Sequence, residues 1–165
     1  MFNFHKKKYK YIKSPITGVA KPIEEAPDDV FAQRILGPGL VIIPENTVEN
    51  AHVKVFSPID GKIVQVFATN HAYTIVGADG LEVLVHIGIN TVELKGKGFK
   101  NFVKNTQKVN IKTEISNIDI DYITQSGYNP CTPVVILNSD NFCDFEFNYG
   151  EVIASETEII KYVKK

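Results

Sequence analysis

Two histidines, His71 and His86, are the residues of this chain whose types and spacing could carry out chemistry. Between them lie two apolar, β-favouring stretches, residues 73–76 and 81–85, separated by the turn sequence Gly-Ala-Asp-Gly. This pattern predicts a β-hairpin. A loop of two or four residues would place both imidazoles on one face, because side chains alternate along a strand, whereas a loop of three would separate them. We therefore predict an even loop and a shared face.

Two imidazoles on one face, roughly 5 to 8 Å apart at Cβ, suit three kinds of chemistry. They could supply half of a metal site, or a nucleophile with its base. They could also act as an acceptor and a helper that together bind a tetrahedral anion. The spacing alone does not choose among these three.

The elements that must position the histidines are mostly strands. Short apolar stretches with glycine, proline and asparagine turns predict an all-β fold, an antiparallel sandwich or barrel-like domain. The predicted strands span residues 18–22, 40–43, 52–56, 61–67, 72–76, 81–87, 109–112, 132–137, 151–154 and 158–162. Short helices are predicted at residues 30–36, 98–105 and 118–126.

A short sequence is repeated before two of the strands. Residues 14–18 read Ser-Pro-Ile-Thr-Gly and residues 57–61 read Ser-Pro-Ile-Asp-Gly. Proline and glycine at these offsets serve many turns, so the repeat indicates either a reused turn or a duplicated unit.

Length and charge limit the class of protein. The chain has 165 residues and 44% hydrophobic residues, which suits one domain with one core. With 18 basic and 19 acidic residues it lacks the basic excess of a nucleic-acid binder. Two cysteines provide no disulfide framework, and no apolar stretch suits a signal peptide or membrane span. We predict a cytoplasmic protein with reduced thiols.

The first thirteen residues differ from the rest in composition, because they are rich in lysine and aromatic residues. We predict a flexible tail over residues 1–13 and a folded domain over residues 14–165. Lysines are attracted to anionic membrane surfaces, so the tail could make a peripheral membrane contact or could be simply solvated.

Several segments resemble the glucose-type IIA component (EIIA) of the bacterial sugar phosphotransferase system. The most specific are residues 57–61, residues 67–73 and residues 84–99, which read Leu-Val-His-Ile-Gly-Ile-Asn-Thr-Val-Glu-Leu-Lys-Gly-Lys-Gly-Phe. The resemblance continues, in order, through residues 14–18, 29–37, 132–135 and 138–140, and it covers the chain from Ser14 to the C-terminus. Two positions depart from the family pattern: Asn90, where aspartate is common, and Pro38, where an acidic residue often separates two glycines.

The resemblance implies a phosphoryl carrier built from two related halves. His86 would accept the phosphoryl group through Nε2 from the phosphocarrier protein HPr and pass it to a cysteine on the IIB domain of a sugar permease. His71 would stabilise the phosphoryl group. Thr69 would orient the imidazole pair through its hydroxyl, and a backbone carbonyl near Gly88 would hold the Nδ1 proton of His86.

The resemblance also implies the partner surface and the cofactors. By family position, the residues that would contact HPr and IIB are Phe31, Ile35, Leu36, Phe67 and Val92. No cofactor is required for this chemistry. Zn²⁺ could bind between His71 and His86 if a partner supplied a carboxylate, and the chain is expected to be a monomer with regulatory targets among its partners.

Two alternatives come from other classes of protein. A zinc-dependent hydrolase could use both histidines, but it would need a His-x-His pair and a third His or Asp ligand at matching spacing, which this chain lacks. A regulatory binding protein would instead present the phosphorylation state of its histidine to other proteins. Cys131 does not suit the phosphocysteine of a IIB domain, because its surroundings do not resemble that domain, and we expect a packed thiol.

Overall fold

The computed structural model describes residues 6–46 and 51–165. Over these residues the chain forms fourteen strands, two short α-helices and three 3₁₀ turns. The strands are β1 (Tyr9–Lys13), β2 (Gly18–Pro22), β3 (Gly39–Pro44), β4 (His52–Phe56), β5 (Gly61–Val66), β6 (Ala72–Gly77), β7 (Glu82–His86), β8 (Phe99–Asn101), β9 (Lys108–Val109), β10 (Glu114–Asp119), β11 (Thr132–Ile136), β12 (Phe142–Phe147), β13 (Gly150–Val152) and β14 (Glu158–Lys164). The helices are α1 (Asp29–Ala32) and α2 (Ile120–Gln125), and the 3₁₀ turns span Ile23–Glu25, Thr91–Leu94 and Ser139–Asn141. None of the described helices is long and apolar enough to cross a membrane.

The strands form three antiparallel sheets. The largest has the order β13-β2-β3-β11-β7-β6-β5-β9, and the two smaller sheets have the orders β1-β14-β12 and β4-β10-β8. One face of the large sheet packs against the small sheets, and residues from all three, such as Ile42, Ile63, Ile118 and Ile160, are fully buried in one core. The architecture confirms the predicted all-β antiparallel sandwich, and in the described residues no sheet closes into a barrel.

The fold consists of two related halves. Strands β4 to β10 form one half, and the strand order of the large sheet reads symmetrically outward from its central pair, β7 and β11. The two Ser-Pro-Ile turns exchange backbone hydrogen bonds: Lys13 N donates to Pro58 O (2.9 Å) and Phe56 N donates to Pro15 O (2.8 Å). In each turn the buried serine hydroxyl donates to the carbonyl two residues later, at 2.7 Å. The repeated sequence therefore marks a repeated structural unit.

The predicted flexible tail is wrong for its last five residues. These form β1, which pairs with β14 along its length, and its Ile12 side chain is fully buried. Tyrosine and isoleucine favour strands, but the strand that pairs with this segment lies about 150 residues away along the chain, and the local sequence does not indicate it. Residues 1–5 lie outside the described residues, so the membrane contact stays a prediction.

Two of the predicted helices are shorter than expected and one is wrong. α1 ends at Ala32 because Arg34 adopts a left-handed backbone (φ 57°), and α2 begins at Ile120 because the preceding residues belong to β10. The predicted helix over residues 98–105 is instead β8, which pairs with β10. Strands β10 and β12 were not predicted, since polar residues interrupt their apolar pattern and distant partners complete the sheets.

A buried carboxylate connects the terminal strands to the turn between β6 and β7. Asp79 accepts hydrogen bonds from Lys10 Nζ (2.9 Å) on β1, from the Tyr162 hydroxyl (2.9 Å) on β14 and from Leu81 N (3.1 Å). Burial raises the pKa of Asp79, but the bonds from Lys10, Leu81 and Tyr162 outweigh it and lower the pKa below its ordinary value. The carboxylate therefore stabilises the fold while it is ionised.

We expect Asp79→Asn to lower the free energy of unfolding by about 1 to 3 kcal/mol at pH 7, since it removes the charge that Lys10 faces. Because the pKa is lowered on folding, this stabilisation is present above the pKa of the unfolded carboxyl, about 3.9, and is lost as the pH falls through the folded value. Urea unfolding of wild type and variant at pH 7 and pH 3 measures both effects. Asp60→Asn is the matched control, because exposed Asp60 accepts a single backbone bond, from Ile111 N. Equal losses in the two variants would contradict this prediction.

Candidate functional site

The hairpin that carries the histidines does not have the predicted register. β6 and β7 pair Ala72 with His86, so that three residues, 78–80, form the loop. The Asp-Gly sequence predicted an even loop, but Gly80 adopts a left-handed backbone (φ 88°) and its N donates to Gly77 O. This is the geometry of a three-residue hairpin loop that ends in a bulge. By strand alternation alone, the two histidines would point to opposite faces.

The imidazoles nevertheless meet, because His71 lies before β6 and does not follow the alternation of that strand. A tight turn precedes it, in which Asn70 is left-handed (φ 55°) and donates to Phe67 O. The two rings pack edge to face, with centroids 5.0 Å apart and an interplanar angle of 83°. The predicted shared face is therefore present, but the turn at Asn70 produces it rather than the hairpin register.

The tautomer of His86 follows from its one ring hydrogen bond. Nδ1 lies 2.8 Å from the Gly88 carbonyl oxygen, which can only accept, so Nδ1 donates and carries the proton. The unprotonated Nε2 therefore presents its lone pair. Gly88 is itself held in place, because its N donates to Cys131 O (3.0 Å) and its φ of 77° suits glycine.

His71 is buried and is positioned by its neighbours. The Thr69 hydroxyl lies 2.5 Å from His71 Nδ1, and the Phe67 ring packs edge-on against the imidazole at 5.7 Å. A hydroxyl can donate or accept, so this bond permits either tautomer of His71. If Thr69 donates, the proton of His71 is on Nε2.

Both imidazoles are held neutral. Burial and, to a smaller extent, the charge of the adjacent His86 ring together lower the pKa of His71 to about 4. Burial also lowers the pKa of His86, although the Gly88 carbonyl and the charge of Asp28 act in the opposite direction. A neutral imidazole with a free ring nitrogen is nucleophilic, so the site has a nucleophile at pH 7.

His86 faces an apolar hollow of about 500 Å³. The Phe31 ring lies 5.0 Å from the His86 ring between centroids, and Phe31 is buried. Of the other predicted partner residues, Leu36, Phe67 and Val92 line the hollow, whereas Ile35 is 65% exposed outside it. The complete lining is Asp28, Val30, Phe31, Leu36, Gln65, Phe67, Thr74, Leu84, His86, Asn90, Val92 and Leu137.

Two contributors to the site were not predicted. Asp28 caps α1 by accepting a hydrogen bond from Val30 N (2.9 Å), and its negative charge acts to raise the pKa of His86. An aspartate just before a short helical pattern is a typical N-cap signal, so it could have been found. Asn129 accepts from Ile89 N (2.9 Å) and braces the segment after His86, but no local signal indicates this contact between distant segments.

His71 and His86 would supply two nitrogen ligands to a metal ion. In residues 6–46 and 51–165, no group of three or more His, Cys, Asp or Glu side chains is arranged to hold a metal. A metal at His71 and His86 would therefore need a further ligand from a partner. A zinc hydrolase needs three ligands from its own chain, and the described residues do not supply the third.

Known proteins are similar to this chain in both sequence and fold. A family model described as phosphoenolpyruvate-dependent sugar phosphotransferase system, EIIA 1, matches residues 10–142. A protein named "PTS system glucose-specific EIIA component" from Buchnera aphidicola is 37% identical over 158 residues, which cover 96% of this chain and 94% of that protein. One of the same name from Oceanobacillus iheyensis is 36% identical over 92% of this chain and 89% of its own length. The solved structure of glucose permease IIA from Mycoplasma capricolum matches with a TM-score of 0.83 at 29% identity, covering 98% of this chain and 99% of that one.

We expect Gly88→Ala to displace the carbonyl that holds the His86 proton. A Cβ at this position would lie 2.4 Å from Thr91 Cγ2 and 3.1 Å from Asn129 O, so the segment must move. Gly80→Ala is the matched control, because Gly80 has a similar φ of 88° but open space around it. Urea unfolding should show a loss of roughly 1 kcal/mol for Gly80→Ala, from backbone strain, and a loss at least about twice as large for Gly88→Ala. Equal losses, with unchanged ¹⁵N shifts of the His86 ring, would contradict this assignment.

We expect the pKa of His71 to rise in His86→Gln but to stay below 6.5, because burial is the larger cause of its depression and the second imidazole is the smaller. Since the pKa is lowered on folding, neutral His71 stabilises the fold above about pH 6.5, and this stabilisation is lost as the pH falls toward about 4. An NMR titration of the imidazole ¹H and ¹⁵N shifts measures both pKa values. A His71 that titrates near 6.5 in the wild type would show that the imidazole is hydrated.

Proposed function

This chain belongs to the EIIA 1 family of the phosphoenolpyruvate-dependent sugar phosphotransferase system, and on that premise we propose that it carries phosphoryl groups on His86. His86 Nε2 accepts the group from HPr and donates it to a cysteine of a permease IIB domain. The observation that supports this most directly is the bond from His86 Nδ1 to the Gly88 carbonyl, which leaves Nε2 as the nucleophile.

Each transfer exchanges one bond to phosphorus for another. The Nε2 lone pair forms a bond to phosphorus as the bond to the histidine nitrogen of HPr breaks, and that nitrogen keeps its electron pair. In the onward step a cysteine thiolate forms the new bond and Nε2 recovers its lone pair. Phosphoryl transfer passes through a loose transition state, which needs positioning and charge stabilisation more than covalent assistance.

His71 stabilises the phosphoryl oxygens in this proposal. Donation from the Thr69 hydroxyl to His71 Nδ1, across 2.5 Å, requires the His71 proton to be on Nε2. That N–H is then available to a phosphoryl oxygen on the neighbouring ring, 5.0 Å away between centroids. Burial keeps His71 from gaining a second proton, so the ring stays neutral near pH 7.

The hollow is the docking surface for HPr and IIB. Apolar residues around His86 exclude water when a partner covers them, which strengthens the electrostatic interactions at the phosphoryl group. Asp28 in the lining provides a carboxylate for a basic partner residue. Asn90 lines the same hollow and keeps a hydrogen-bond acceptor, without the charge of the aspartate common in the family.

The remaining features of the proposal come from the family. The protein acts in the cytoplasm as a monomer and needs no cofactor for transfer. Zn²⁺ would be held by His71 and His86 where a partner adds a carboxylate, with the His71 proton moved to Nδ1, from which it is donated to the Thr69 hydroxyl. Several relatives are named glucose-specific, which supports a glucose-type permease as the acceptor. Phosphorylation adds nearly two negative charges to the hollow, which regulatory targets can sense.

Incubation with enzyme I, HPr and phosphoenolpyruvate is expected to give one acid-labile phosphoryl adduct, detected by intact mass. The adduct should be absent in His86→Ala and present in His71→Ala. Onward transfer to a IIB domain should fall by about 10²-fold in His71→Ala, as expected for loss of a donor that stabilises the transition state.

His52→Ala is the control for loss of a histidine, because this side chain is exposed on β4. Thr69→Ser and Thr69→Val separate the hydroxyl of Thr69 from its packing, and only Thr69→Val should slow onward transfer. A wild-type protein that gains no adduct, or an adduct that persists in His86→Ala, would disprove the carrier assignment.

A further inference from the structure

A second apolar groove lies at the other end of the large sheet, on the face that carries the hollow. It has a volume of about 340 Å³ and is lined by residues of β2, β3 and β13 and of their flanking loops. Val19, Ile43 and Ile153 are 38%, 43% and 54% exposed there. Val19 and Ile43 are direct cross-strand partners. Ile43 shares its face with Val41, which packs in the apolar cluster that includes Phe31.

The duplicated fold contains an internal control for this groove. Gly18 and Gly61 end the two Ser-Pro-Ile turns, so Val19 is equivalent to Lys62. Val19 pairs with Glu151, and Lys62 pairs with Lys108, so Glu151 is equivalent to Lys108.

The same comparison applies to the third exposed side chain. Ile153 N donates to Thr157 Oγ1 as Asn110 N donates to Thr113 Oγ1, so Ile153 is equivalent to Asn110. The same backbone positions therefore accept lysine and asparagine in the other half. The fold does not require the exposed apolar side chains at Val19 and Ile153, and their presence indicates a surface that contacts something else.

The charges at the groove indicate what that contact is. Glu45 and Glu151 line the groove, and both carboxylates are exposed without an ion pair in the described structure. Their equivalents in the other half are Ala78 and Lys108, so the negative charge is also particular to this half. An apolar floor between two unpaired carboxylates complements a segment in which apolar side chains alternate with basic ones.

We propose that the groove formed by Val19, Ile43, Ile153, Glu45 and Glu151 is a docking site for a basic and apolar peptide segment of a partner protein. The apolar side chains of the segment pack on Val19, Ile43 and Ile153. Its lysine or arginine side chains pair with Glu45 and Glu151. This site is separate from the histidine hollow, so the protein can hold such a partner while His86 exchanges its phosphoryl group.

The probe for this site is the peptide acetyl-Lys-Leu-Lys-Leu-Lys-amide, titrated into ¹⁵N-labelled protein with backbone amide shifts as the readout. The expected shifts are confined to β2, β3, β13 and their loops. A peptide with glutamate in place of lysine tests the charge, and tetralysine tests the apolar contact. Both should bind at least about tenfold more weakly, which corresponds to about 1.4 kcal/mol.

The variants Val19→Lys and Glu151→Lys introduce the residues that the other half already carries at these positions, so folding should be retained. Each should weaken peptide binding by about tenfold or more. Phosphorylation of both variants by phosphorylated HPr should equal that of the wild type, and this separates the groove from the carrier function. Lys62→Val is the control, because it changes the equivalent position and should leave peptide binding unchanged.

Several results would overturn the proposal. These are amide shifts centred on the hollow, equal binding by wild type and Val19→Lys, equal binding of the lysine and glutamate peptides, or no binding at millimolar peptide. Sedimentation of the wild type as a dimer, reversed to monomer in Val19→Lys, would identify a second copy of the chain as the occupant instead. Absence of an adduct on His86 would leave the groove result unaffected, since the titration uses the unphosphorylated protein.

Discussion

The contact between the two imidazoles is the interaction on which the site depends. Rings packed edge to face at 5.0 Å, above an apolar hollow, favour the neutral form of both imidazoles, because burial penalises a charge on either. A neutral imidazole has one donor and one acceptor nitrogen. The fold supplies one partner to each Nδ1, the Gly88 carbonyl for His86 and the Thr69 hydroxyl for His71, and this leaves both Nε2 atoms available for the proposed phosphoryl transfer.

The backbone around the two histidines has a counterpart in the other half of the duplicated sheet. Ile87 N donates to His71 O, and in the other half Ile136 N donates to Pro38 O in the same way. The two halves meet at β7 and β11, where Val85 pairs with Val134 and the two residues occupy equivalent positions. His86 and Val135, which follow them, are therefore equivalent as well. The histidine positions therefore use backbone bonds that the fold makes twice. Only one copy carries imidazoles, while Pro38 and Val135 belong to the framework in the other.

The sequence predicted the strands and the pair of histidines better than it predicted how the histidines meet. Apolar alternation located the hairpin, but an Asp-Gly pair is compatible with loops of two or three residues, and the register depends on the φ of Gly80. The direction of the His71 side chain depends on the left-handed Asn70 in a turn outside the strand. Thr69 and Gly88 were expected only from the family resemblance. Asn129 could not be predicted, because its contact with Ile89 joins segments forty residues apart.

Position 90, where the family pattern favours aspartate, separates the charge of the hollow from the geometry of the imidazoles. Asn90 is left-handed, with a φ of 58°, and asparagine and aspartate are the residues other than glycine that most readily adopt this backbone. An exchange between them changes the charge at the hollow and leaves the segment from Gly88 to Thr91 in place. Among the described residues that line the hollow, Asp28 then carries the single carboxylate. An exchange at this position therefore alters the charge of the hollow and leaves in place the bond from His86 Nδ1 to the carbonyl of Gly88, which lies two residues before Asn90.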